Sequence, residues 1–97
     1  MKQTVSLTSC VRIPDGILSH LLQSELILLH LDTGVYSGLD PVGTRVWQLM
    51  QAQPACVLHD IVETLIAEYD VGRDRCTRDV LALAGHLEEN KLIDIST

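Results

Sequence analysis

Between Glu25 and Met50 the chain reads ELILLHLDTGVYSGLDPVGTRVWQLM, and the turn residues in that run leave little choice of fold. Residues 25–31 are dense in Leu and Ile and read as a strand. Asp32-Thr33-Gly34 suits a three-residue loop, with Gly34 taking the left-handed position. Residues 35–39 form a second short strand, whose alternation puts Val35, Ser37 and Leu39 on one face and Tyr36 and Gly38 on the other. Asp40 can cap free amides and Pro41 is tolerated at the first helical position, so a helix starts there. Val42, Val46, Leu49 and Met50 share one side of it, Trp47 adjoins them, and Pro54 limits its length. The 35–39 strand carries no Lys, Glu or Pro. At a sheet edge such a strand is unprotected, which is a liability unless something pairs with it.

The flanks extend the same pattern. Residues 1–15 form an extended lead-in, with loose alternation at Val5, Leu7, Val11 and Ile13 and room for one short pairing segment. Residues 16–22 read as a strand joined to 25–31 by a Gln23-Ser24 turn of hairpin length. Leu58, Ile61, Val62, Leu65 and Tyr69 mark an amphipathic helix over 58–69, with Val57 where a hydroxyl cap is expected. After Gly72 a third helix runs over 73–90, with Cys76, Val80, Leu83, Ala84 and Leu87 on one face and Leu92, Ile93 and Ile95 trailing. The expected architecture is one α+β domain over 1–97: lead-in 1–15, β-meander 16–39, then three helices over 40–93. A three-stranded antiparallel sheet followed by three helices is winged helix-turn-helix-like.

Composition removes several function classes. The 97 residues carry a net charge of −6, which disfavours a phosphate-backbone partner. Phe is absent, so the core is aliphatic. No apolar run is long enough to span a membrane, and the first ten residues lack a signal peptide's apolar stretch. Cys10, Cys56 and Cys76 are odd in number and far apart, which fits reduced thiols in a cytoplasmic protein.

The sequence carries no catalytic or metal-binding pattern. Cys56 and His59 are the nearest pair of metal-ligand type, without C-x-x-C or H-x-x-x-H spacing, so neither metal nor cofactor is expected. There is no G-x-S-x-G elbow, no phosphate loop and no poised pair of carboxylates; the chain reads as non-catalytic. Arg73, Arg75 and Arg78 cluster with Asp74 and Asp79 at the start of the third helix. They are either a solvated first turn or guanidiniums placed to receive carboxylates of a bound peptide.

Leu28-Leu29, Asp32, Gly34, Tyr36, Gly38-Leu39-Asp40, Gly43 and Trp47 occur in an order and spacing that resembles the PqqD-like family, the peptide-recognition domains of ribosomal natural-product biosynthesis. Leu65, Glu68-Tyr69-Asp70-Val71, Asp79-Val80 and Leu87 continue the likeness, which covers residues 16–93. The chain departs from the family where Lys91 replaces a usual Gly, Ala84 a large aliphatic and Val57 a hydroxyl cap.

The resemblance implies a peptide chaperone that binds the leader segment of a precursor peptide by strand addition. Backbone pairing would come from Gly34, Val35, Tyr36, Ser37, Gly38 and Leu39. Cys76, Asp79, Val80, Leu83 and Leu87 would form the helix wall, with Arg75 and Arg78 meeting acidic residues. If Ser37 turns its amide outward, proline there blocks pairing and spares the fold. The implied partners are the precursor peptide and a leader peptidase, cyclase or other modifying enzyme, as in lasso-peptide pathways, the chain being a monomer or weak homodimer. Two alternatives are a winged-helix DNA regulator and a module that pairs with itself through the same edge.

Overall fold

Turn chemistry and alternation place the main elements where expected. In the computed structural model, which describes residues 5–96, the order is β1 (Cys10–Arg12), β2 (Ile17–Leu22), β3 (Glu25–His30), β4 (Tyr36–Leu39), α1 (Pro41–Gln51), β5 (Cys56–Val57), α2 (Leu58–Glu68), α3 (Arg73–Glu89) and β6 (Asp94–Ser96). Strands β2, β3 and β4 form an antiparallel meander in that order, with Leu28 opposite Ser37 and Leu26 opposite Leu39.

The lead-in expected over residues 1–15 is more than a lead-in, although residues 1–4 lie outside the described residues. β1 is the centre of a second sheet ordered β5-β1-β6, and Arg12 pairs loosely with Asp94 at 3.5 Å. Strands of two or three residues are too short for alternation to declare them, so sequence reasoning left this sheet as trailing chain.

That second sheet explains the poor cap of α2. Val57 offers no capping side chain, but Leu58 N–H donates to Ser9 C=O at 3.1 Å and His59 N–H to Leu7 C=O at 3.0 Å. Backbone carbonyls of the segment before β1 thus satisfy two of the helix's orphan donors. The C-terminal end of α3 is a Schellman motif: Leu92 N–H reaches Leu87 C=O at 2.9 Å and Lys91 N–H reaches Glu88 C=O at 3.0 Å. Lys91 sits there at φ 61°, the left-handed corner that explains why Gly suits this position.

The core is aliphatic around one indole. Trp47, Leu28, Leu58, Ile61, Leu65, Leu87, Leu92 and Ile93 are fully enclosed, and Ala84 lies among them. Trp47 Nε1 is buried without a partner among the described residues, a local cost accepted for the ring's packing. No helix among the described residues is long and apolar enough to cross a membrane.

Candidate peptide-binding groove

The hairpin loop fixes which atoms of β4 face outward. Gly34 N–H donates to His30 C=O at 2.8 Å and His30 N–H to Val35 C=O at 2.9 Å, so the loop has four residues, Leu31 to Gly34, one more than expected. Gly34 sits at φ 75°. His30 Nδ1 accepts from the amides of Asp32 at 3.2 Å and Thr33 at 3.3 Å, which holds the loop in place.

With His30 and Val35 a hydrogen-bonded pair, alternation makes Leu28–Ser37 and Leu26–Leu39 bonded pairs too. Tyr36 and Gly38 therefore turn N–H and C=O to the open edge. The Ser37 amide points inward to β3, against the condition under which proline there would spare the fold. Gly34 and Val35, expected to pair with a peptide, have their amides engaged within the turn, Val35 N–H reaching Thr33 Oγ1 at 3.2 Å.

The far end of β4 is anchored by the first turn of α1. Asp40 Oδ1 accepts from Gly43 N–H at 2.7 Å, Asp40 C=O accepts from Thr44 N–H at 2.7 Å, and Thr44 Oγ1 donates to Leu39 C=O at 3.3 Å. Glycine at 43 relieves a tight spot: a Cβ there would lie 3.2 Å from Asp40 Oδ1 and 3.3 Å from Leu39 Cβ, so the cap would have to shift by a few tenths of an ångström.

Between this junction and α3 lies a cavity of about 460 Å³. Leu39, Val42, Gly43 and Val46 line one side, Cys76, Val80 and Leu83 the other, with Tyr69 and Val71 at one end and Arg75 and Asp79 on the rim. Arg45 clamps α1 to α2 through a bidentate contact to Glu68 at 2.8 and 2.6 Å, which holds the carboxyl below its ordinary range. Burial pushes the Cys76 thiol up, so it enters the wall as an apolar group and not as a nucleophile.

The residues singled out from the sequence separate into three sets. Leu39, Arg75, Cys76, Asp79, Val80 and Leu83 come together around the cavity. Leu87 is 0 % exposed and belongs to the core: it shares the face of Cys76 and Val80 but lies further along α3, beyond the residues that line the cavity. Of the arginines, Arg73 is held by Glu63 at 3.1 and 2.9 Å, Arg75 is loosely paired with Asp79 at 3.9 Å, and Arg78 is exposed away from the cavity. Sequence reasoning missed Val42, Val46, Tyr69 and Val71, whose contribution depends on how α1 and α2 lean together. No group of residues able to hold a metal ion occurs among the described residues.

A family model described as PqqD, coenzyme PQQ synthesis protein D, matches residues 25–93. Two solved structures superpose on most of the chain. One is TbiB1 in complex with the TbiA(beta) leader peptide, with TM-score 0.75 and 36% identity over 86% of this chain and 94% of that chain. The other is lasso peptide synthetase B1 complexed with the leader peptide, with TM-score 0.73 and 26% identity over 87% of this chain and 96% of that chain. No curated protein matches the sequence.

Proposed function

The chain belongs to the PqqD family, and from that premise we propose that it is a non-catalytic chaperone binding the leader segment of a ribosomally made precursor peptide. The observation that carries this reading is the uncharged edge of β4, open at Tyr36 and Gly38, beside an apolar groove. Both solved relatives hold a leader peptide.

An added antiparallel strand would exchange backbone hydrogen bonds with Tyr36 and Gly38. Its side chains opposite Ser37 and Leu39 would enter the groove, and the alternate ones would lie beside Tyr36 on the outer face. Leu39, Cys76, Val80 and Leu83 supply the apolar wall. Arg75 on the groove rim meets acidic residues of the peptide and Asp79 balances it, while Arg78, outside the cavity, can reach only peptide residues beyond the groove. The bound peptide is then presented to a leader peptidase, cyclase or other modifying enzyme of a lasso-peptide or related pathway. Free Cys10, Cys56 and Cys76 agree with a cytoplasmic location.

The test is titration of the protein into a fluorescently labelled leader segment of the precursor encoded beside it. Saturation at about tens of micromolar or below is expected. No binding by any neighbouring precursor at that concentration refutes the reading.

A further inference from the structure

The meander has a second open edge, on β2, and it is longer than the first. Leu31 N–H donates to Gly16 C=O at 2.9 Å, which sets the phase on this side. Leu18, His20 and Leu22 bond to Leu29, Ile27 and Glu25 of β3, leaving the N–H and C=O of Ile17, Ser19 and Leu21 facing outward. None of the usual protections is present: the strand has no Lys, Pro or bulge, and no further strand pairs with it among the described residues. Leu18, Leu21 and Leu22 are 54%, 53% and 53% exposed.

We propose that β2 pairs with β2 of a second copy, antiparallel about a two-fold axis through Ser19. In that register Ile17 of one copy meets Leu21 of the other, Ser19 meets Ser19, and Leu21 meets Ile17. These three outward-facing positions form three pairs of two backbone bonds each. The side-chain pairing is compatible throughout. Aliphatic pairs flank a central pair of hydroxyls on one face, and Leu18 opposes His20 twice on the other. The chain carries −6, yet residues 17–22 hold no charged side chain, so two identical edges meet without local repulsion. This neutrality and self-complementarity favour a second copy over a charged partner.

Covering three half-exposed leucines and the strand backbone removes on the order of 400 Å² per partner, about half of the ~800 Å² typical of a stable interface. The dimer is therefore concentration-dependent. It extends the meander into one sheet of two copies, with a β4 edge free at each end.

Sedimentation velocity on the full chain from about 5 µM to 1 mM tests this, the mass rising from 10.7 kDa toward twice that value. Ser19→Pro removes only outward amides and should weaken association roughly tenfold or more with the melting temperature kept. Leu21→Lys, which places a charge against Ile17, should act likewise. Gly38→Pro, on the other edge, should leave association unchanged. A mass fixed at the monomer throughout overturns the proposal. So does association that survives both β2 variants, or that Gly38→Pro abolishes, the last meaning that β4 pairs with itself. Apart from the last, which would put self-pairing on the β4 edge itself, none of these outcomes bears on whether a leader peptide binds.

Discussion

Ser37 Oγ lies 3.4 Å from His86 Nε2, tying the edge strand to α3 at one end of the groove. A peptide side chain opposite Ser37 would fall on this pair. The His86 ring should therefore report occupancy: its side-chain NMR signals should shift on titration with leader peptide and saturate with the binding curve. Unmoved His86 signals at saturation would place the peptide elsewhere.

Prolines on adjacent residues of β4 should have opposite effects. Gly38→Pro removes an outward amide and should cost roughly five- to tenfold in peptide affinity with little change in Tm. Ser37→Pro removes the bond to Leu28 and should cost about 2 kcal/mol, a fall of roughly 10 °C. Thermal melts beside a binding isotherm separate the two.

Lys91→Gly should stabilise the fold by about 1 kcal/mol, because φ 61° strains any residue with a Cβ. Gln23, at φ 56° in the two-residue turn between β2 and β3, should respond to Gly in the same direction. Chemical denaturation measures both; an unchanged midpoint in Lys91→Gly would mean that the corner carries no strain.

Arg45 lowers the Glu68 carboxyl below its ordinary 4.5, and Arg73 does the same to Glu63. A group lowered by folding contributes stability that is present above its unfolded value. That contribution is lost as pH falls through the folded one. Stability should thus decline below about pH 4.5, and Glu68→Gln should flatten that part of the curve. Both pairs are exposed enough that the effect is small and weakens in salt. Denaturation midpoints between pH 3 and 6 give the comparison.

The three arginines should divide by partner. Arg75→Ala, on the cavity rim, should lower affinity for an acidic leader about two- to fivefold at low salt and change little at 0.5 M salt, and Arg78→Ala, outside the cavity, should do less. Arg73→Ala should instead loosen the α2–α3 junction with binding kept, since Glu63 already holds its guanidinium. Binding measured at both ionic strengths, with Tm, tests the assignment.

Most of this architecture was legible because its signals are local. Asp40-Pro41, the stripe from Leu58 to Leu65 and the stripe from Cys76 to Leu87 name their helices within a residue or two. The direction of the Ser37 amide was not legible. It depends on whether the loop after His30 has three residues or four, and Leu31 looks like strand until His30 is seen holding the turn. Leu87 and Leu83 look alike in sequence, one turn apart on α3. Only the position of β4 decides that Leu83 borders the cavity while Leu87 fills the core.

The carbonyls of Leu7 and Ser9 that cap α2 lie upstream of residue 25, where the family match begins. The segment that the family model matches is therefore shorter than the packed unit of two sheets and three helices. A fragment trimmed to residue 25 would strip β5 and β6 of their shared neighbour and leave the opening amides of α2 without acceptors. Anyone grafting this recognition module onto an enzyme must carry the preceding residues with it, from Leu7 onward.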